Sequence, residues 1–158
     1  MPLREDQGRQ SGNEYYPCVC KIYDSIVYLA DTGVLCALMN VRSEAALRES
    51  PAAGAIWETF VFAQLRHRER VAGRAASLFY WRDRTREVDF VADIGGRLEL
   101  FEAKWTELPT AADAVNLEFV RNVLGARTAV RGGVVCRARN GFPLMTGFRA
   151  MPAAELIG

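Results

Sequence analysis

The stretch EVDFVADIGGRLELFEAKW, residues 87–105, places an unusual number of carboxylates and one lysine on two short apolar runs joined by Gly95-Gly96. Val88, Phe90 and Ala92 alternate with Glu87, Asp89 and Val91. Leu98, Leu100, Glu102 and Lys104 alternate with Glu99, Phe101, Ala103 and Trp105, so both runs read as strands. A Gly-Gly pair suits a two-residue type I′ hairpin loop, which needs positive φ at both central positions. With Ile94 facing Arg97, that loop sets Asp89 opposite Glu102 and Glu87 opposite Lys104, all on one face. Cβ atoms of opposed residues lie roughly 4.5–5.5 Å apart, a separation at which like charges destabilise a pair. Two carboxylates so placed can bind a metal ion, share a proton, or splay into water.

Lys21 and Lys104 are the only lysines; every other basic side chain is arginine. A position that needed only positive charge would ordinarily hold arginine in this chain. Lysine supplies a compact ammonium whose pKa responds to its surroundings, which suits orienting a water beside a metal-bound phosphate. The plainer role is an ion pair with Glu87 across the hairpin, worth a fraction of a kcal/mol if exposed. Glu58 is a third candidate acid. It lies on a helical pattern whose i+3, i+4 and i+7 positions are Val61, Phe62 and Leu65, so it has a partner near the core or sits at the core's margin. An acid, a tight turn, then Glu-x-Lys, preceded by a helical glutamate, is an arrangement used for metal-dependent phosphodiester hydrolysis. Hard oxygen ligands of this kind favour Mg²⁺ or Mn²⁺.

These residues need elements to hold them. Ile26 to Ala30 reads as a strand, Asp31-Thr32-Gly33 as a turn, and Val34 onward as a short helix. RSEAALRES forms a polar helical turn before Pro51. Residues 54–70 form a strong helix, with Trp57, Phe60, Val61, Gln64 and Leu65 at helical spacing. SLFYWR is a strand, DRTR a turn, and the hairpin follows. Thr110 and Asp113 start a helix with a capping box, Gly125 ends it, and residues 132–138 form a buried strand. The C-terminal stretch adds a last edge strand and a turn. From residue 54 the order is helix, three strands, helix, strand, a mixed arrangement in which tight turns give antiparallel pairs and the later helix carries a parallel crossover.

With 158 residues, half of them apolar, the chain has the material for one soluble domain with a real core. The first 20 residues are polar and expected to be frayed. No apolar stretch is long enough to span a membrane and no signal-peptide pattern is present. A net charge of +1 gives no global attraction to nucleic acid, but residues 66–87 carry seven arginines, Arg82, Arg84 and Arg86 among them, against three acids. That excess can meet phosphates or simply form a solvated face. Cys18-x-Cys20, Cys36 and Cys136 lack the spacing of a zinc site and are expected to be free thiols in a reducing cytoplasm. His67 is the only histidine and lies in the charged RHRER run, which leaves little for His-based nucleophilic catalysis.

The element order, with Asp89, Glu102, Ala103 and Lys104, resembles the core of the PD-(D/E)XK, or restriction-endonuclease-like, superfamily. More narrowly, VYLADTGVLCALM, GAIWETFVFAQL, LFYWRDRTREVDFV and LFEAKW are similar, in order, to motifs of domain of unknown function 4143. That domain is found at the C-terminus of predicted AAA-type ATPases of bacteria and archaea. The resemblance covers residues 21–152. It implies an α/β fold with a mixed sheet flanked by helices, an αβββαβ core over residues 54–150 and an N-terminal extension over residues 21–53, together forming a single domain over residues 21–158.

It also implies that Asp89, Glu102 and the Ala103 carbonyl hold Mg²⁺ or Mn²⁺. Lys104 is then the catalytic lysine, Glu58 completes the acidic set, and Arg82, Arg84 and Arg86 lie along the nucleic acid. The activity implied is hydrolysis of DNA in preference to RNA. The alternative is a silent module that keeps the fold and binds nucleic acid or an AAA-type ATPase. No G-x-x-x-x-G-K-[ST] loop occurs in the chain, so an ATPase module is expected to come from a partner or from a longer gene product.

Overall fold

The computed structural model of the protein describes residues 26–75, 77–125 and 129–157. The expectations for the N-terminal tail, for Cys18-x-Cys20 and for Lys21 fall outside these residues. Three helices come first: α1 (Thr32–Leu38), α2 (Glu44–Glu49) and the long α3 (Ala53–Val71). Strands β1 (Leu78–Arg82), β2 (Glu87–Ile94) and β3 (Arg97–Ala103) follow. One turn of 3-10 helix (Ala111–Ala114) then leads into α4 (Val115–Leu124), and β4 (Ala129–Cys136), β5 (Phe142–Met145) and β6 (Phe148–Pro152) complete the sheet.

The six strands form one mixed sheet in the order β1-β2-β3-β4-β6-β5. The β1/β2, β2/β3 and β5/β6 pairs are antiparallel, while β3/β4 and β4/β6 are parallel. The expected order of helix, three strands, helix and strand is therefore present, and α4 carries the parallel crossover from β3 to β4. Two local expectations need correction. Residues 26–30 form no strand, because no neighbouring strand pairs with them, and the helix starts at Thr32, where the Asp31 side chain caps the Gly33 and Val34 N–H groups. The C-terminal segment supplies two strands rather than one, and β5, not β6, is the edge.

Gly95 and Gly96 have φ of 63° and 83°, the positive pair that a type I′ loop requires. The hairpin pairs Ile94 with Arg97 and keeps that register to Phe90 with Phe101. Between β1 and β2 the ladder slips: Phe79 faces Val91 but Trp81 faces Val88, two steps along β1 against three along β2. The extra β2 residue breaks strict alternation at Asp89, so Val88 packs on the same side as Val91.

Each face of the sheet buries its own core. Leu98, Leu100, Val134 and Phe148 pack beneath Leu117 and Val120 of α4. Phe90, Ala92, Phe101 and Val135 pack beneath Val61 and Leu65 of α3. The capping box at Thr110 and Asp113 forms as expected and fixes where the α4 segment begins. Leu117 is fully buried, so Leu117→Ala should destabilise the domain by about 3 kcal/mol in a denaturant titration.

A buried ion network, not foreseen from the sequence, joins α3 to the sheet. Glu69 and Glu99 are 2% and 3% exposed. Arg68 reaches Glu69 at 2.9 Å and Glu99 at 2.8 Å; Arg74 also binds Glu69, at 2.7 Å, and Arg131 binds Glu99. Both carboxylates thus have two guanidinium partners, the condition under which buried charge is tolerated. Two arginines of the basic run, Arg68 and Arg74, are in this way engaged in structure.

Candidate functional site

The acidic residues lie where the ends of β2 and β3 meet α3. Continuing the hairpin register by one position sets Asp89 beside Glu102. Asp89 Oδ2 accepts the Ala103 N–H at 2.8 Å, taking the place of a strand carbonyl at the end of the ladder. The irregular step in β2 at Asp89 gives its side chain this freedom. Glu102 is 4% exposed. Its Oε1 lies 2.8 Å from Lys104 Nζ, while its Oε2 is buried without a hydrogen-bond partner among the described residues. The Glu87–Lys104 ion pair, the plainer of the two roles open to this lysine, does not form. Lys104 turns back along its own strand to the buried acid, and Glu87 instead meets Arg82 at 3.8 Å in an exposed pair.

A single carbonyl ties the supporting elements together. Val135 O accepts both the Lys104 backbone N–H, at 3.0 Å, and Trp57 Nε1, at 3.1 Å. The first bond holds the end of β3 against β4, and the second pins α3 over the same point. Glu58, next to Trp57, is thereby fixed near the strand ends, and its Oε1 accepts the Tyr28 hydroxyl at 2.5 Å. The partner required for a glutamate at the margin of the core is thus a tyrosine from the segment before α1. The sequence reading missed Tyr28 as part of the site; its only signal was a tyrosine within the motif that ends in Asp31-Thr32-Gly33.

Electrostatics follow from this crowding. Burial, then the charges of Glu102 and Glu58, push the Asp89 carboxyl up to about 7, although the Ala103 N–H and Lys104 oppose the shift. Burial also raises the Glu102 carboxyl, and its bond to Lys104 only partly offsets this. For Lys104 the balance reverses. Burial alone would lower it, but Glu102, with Asp89 and Asp113, holds the ammonium above its ordinary value. Burial and then Glu58 raise the Tyr28 hydroxyl well above its usual range.

Near neutral pH the site therefore has a proton to give up and one carboxylate oxygen without a partner. Among the described residues, no three His, Cys, Asp or Glu side chains converge as a ready-made metal cage. The donors present are two carboxylates and the Ala103 carbonyl, which in a strand faces the same neighbour as the Ala103 N–H. A small all-oxygen set of this kind fits a hard divalent ion that keeps several waters.

The arginines separate. Arg86 stacks on Phe119 of α4, its guanidinium 3.9 Å from the ring centroid, and so helps hold the turn to the helix. Arg82 and Arg84 are exposed, and Arg84 has no partner among the described residues. His67 is exposed at the end of α3, Cys136 is buried and free, and Cys36 is free and half-buried. Among the described residues no helix is long and apolar enough to cross a membrane.

The fold and this site define a mixed α/β domain with an acidic centre at the junction of a hairpin and a helix. The chain belongs to the family described as "Domain of unknown function (DUF4143)", which matches residues 53–156. It is 32% identical over 133 residues to the uncharacterized proteins Rv2008c of Mycobacterium tuberculosis and Mb2031c of Mycobacterium bovis. Those matches cover 83% of this chain but 28% of each relative, so the chain spans under a third of their length. Among solved structures, protein VC1899 from Vibrio cholerae is similar, with 22% identity and a TM-score of 0.44, covering 73% of this chain and 33% of that one.

Proposed function

We propose that this domain hydrolyses DNA phosphodiester bonds with Mg²⁺ or Mn²⁺, on a restriction-endonuclease-like fold. The observation that carries the proposal is Glu102: a buried carboxylate with one oxygen on Lys104 and the other unpartnered, beside an Asp89 carboxyl that titrates near neutrality. A buried unsatisfied oxygen is costly in isolation, and a cation would satisfy it.

Asp89, Glu102 and the Ala103 carbonyl are the donors for the metal, with Glu58 behind them as additional negative charge. A bound divalent ion neutralises phosphate and lowers the pKa of a coordinated water. Lys104 is 40% exposed, which lets its ammonium reach the attacking water or the developing charge. In this reading the exposed Arg82 and Arg84 contact the phosphate backbone, and Arg86, stacked on Phe119, shapes the turn that carries them.

The second reading, a silent module that binds nucleic acid or an AAA-type ATPase, is favoured by the lack, among the described residues, of a third converging His, Cys, Asp or Glu side chain and by the greater length of the relatives. Titration calorimetry separates the two. The wild-type chain should bind one Mn²⁺ at pH 8, more weakly at pH 6 because Asp89 must lose its proton, and Glu102→Gln should abolish the heat. A wild-type protein that takes up no Mn²⁺ or Mg²⁺ at pH 8 rules out the hydrolase.

A further inference from the structure

We infer that Tyr28 is a positioning residue that latches the segment before α1 onto Glu58 and so holds this glutamate towards Asp89; the inference rests on the hydrolase reading for what the held glutamate does. Besides the packing of α1 on α3, the segment before α1 has few other attachments. Ile26, Val27 and Leu29 are exposed, Val27 at 91%, and α1 buries none of its residues.

Tyr28 is the exception. Its ring stacks on Phe62 of α3 at 4.4 Å between centroids and leans on Phe90 of β2 at 5.9 Å. Its hydroxyl donates to Glu58 Oε1 at 2.5 Å. The ring thus sits over the same α3–β2 seam from which Glu58 and Asp89 project, and the hydroxyl occupies one Glu58 oxygen.

Without that bond, no other side-chain hydrogen bond among the described residues holds Glu58 beside the like charge of Asp89, and a half-buried glutamate can turn outwards. The coupling must also run the other way. Whatever fixes Glu58 fixes the segment, because a coupling free energy between two sites is reciprocal. Residues 26–38 therefore form part of the acidic site, not a loose leader to it.

The test is a cycle of Tyr28→Phe, Glu58→Gln and the double variant. Phenylalanine keeps the ring stack and removes only the hydroxyl. Amide hydrogen exchange across residues 28–38, without metal, should rise about fivefold in either single variant, the worth of one lost hydrogen bond. The double variant should rise no further, while β2 and β3 stay protected. Mn²⁺ affinity should fall about fivefold in Tyr28→Phe and no lower in the double variant than in Glu58→Gln alone. Exchange that ignores Glu58→Gln, or effects that multiply in the double variant, would overturn the latch. If the exchange pattern appears but wild-type protein binds no Mn²⁺, the latch stands and the metal reading falls.

Discussion

On the proposed hydrolase reading, Lys104→Ala is expected to lower Mn²⁺-dependent cutting of circular and linear DNA by about 100-fold or more, the usual worth of a donor aimed at developing charge. Mn²⁺ affinity should not fall with it. Lys104 is not a ligand, and its ammonium competes for the same Glu102 carboxylate that the metal would use. The informative companion is Lys104→Arg. An arginine can rebuild the ion pair to Glu102, bidentately if the geometry allows, and so keeps whatever the pair contributes to the fold. Its planar fork cannot reproduce a compact ammonium carried at the end of a flexible stem. Cutting should remain low in Lys104→Arg while thermal stability returns to the wild-type value. If arginine restores cutting, Lys104 acts only as a counter-charge for Glu102. Activity that survives both variants and Asp89→Ala comes from a contaminant.

What could be read in the sequence, and what could not, divides along the range of the interactions. The Gly95-Gly96 loop and the register that brings Asp89 alongside Glu102 are local properties of a two-residue turn, and they could be derived from about twenty residues. The α3 stripe was similarly accessible, because Val61 and Leu65 recur at helical spacing. The capping box at Thr110 and Asp113 needed only four residues.

The failures all involve contacts that the tertiary fold, not local spacing, decides. Ideal alternation sets Lys104 opposite Glu87, which made an ion pair between them its plainer role; the ladder between β1 and β2 slips at Asp89, and the ammonium instead meets the buried Glu102. Residues 26–30 had a strand's composition but pair with no strand among the described residues. The burial of Glu69 and Glu99 was not foreseen, and it became visible only once α3 brought Arg68 across the sheet. Arg86 was read as a phosphate contact, whereas the partner that engages it, Phe119, lies on a helix 33 positions along the chain. Spacing predicts which face a residue occupies; the group waiting on that face is a tertiary fact.

The largest stability effect is expected at Asp89 and depends on pH. In the unfolded chain this carboxyl titrates near its ordinary value of 3.8, but in the fold it titrates at about 7. Between those values the folded state binds a proton that the unfolded state has released, so stability must fall as pH rises from about 4 to 7. The spread corresponds to about 4 kcal/mol when complete. Asp89→Asn keeps a side-chain oxygen for the Ala103 N–H and removes the charge that burial and Glu102 oppose. The variant should match wild type at pH 4, lose most of the slope, and exceed wild type by up to that amount at pH 8. Urea titrations at four pH values between 4 and 8 measure it, and equal slopes in the two proteins would mean that Asp89 is not the group responsible. Metal sharpens the contrast, because a ligand stabilises only the state that binds it. Added Mn²⁺ should restore stability to wild type at pH 8 and leave Asp89→Asn unchanged. Such a result would assign the unfavourable acid and the cation's binding energy to the same carboxylate: one that weakens the fold by its own charge and strengthens it when that charge meets a cation.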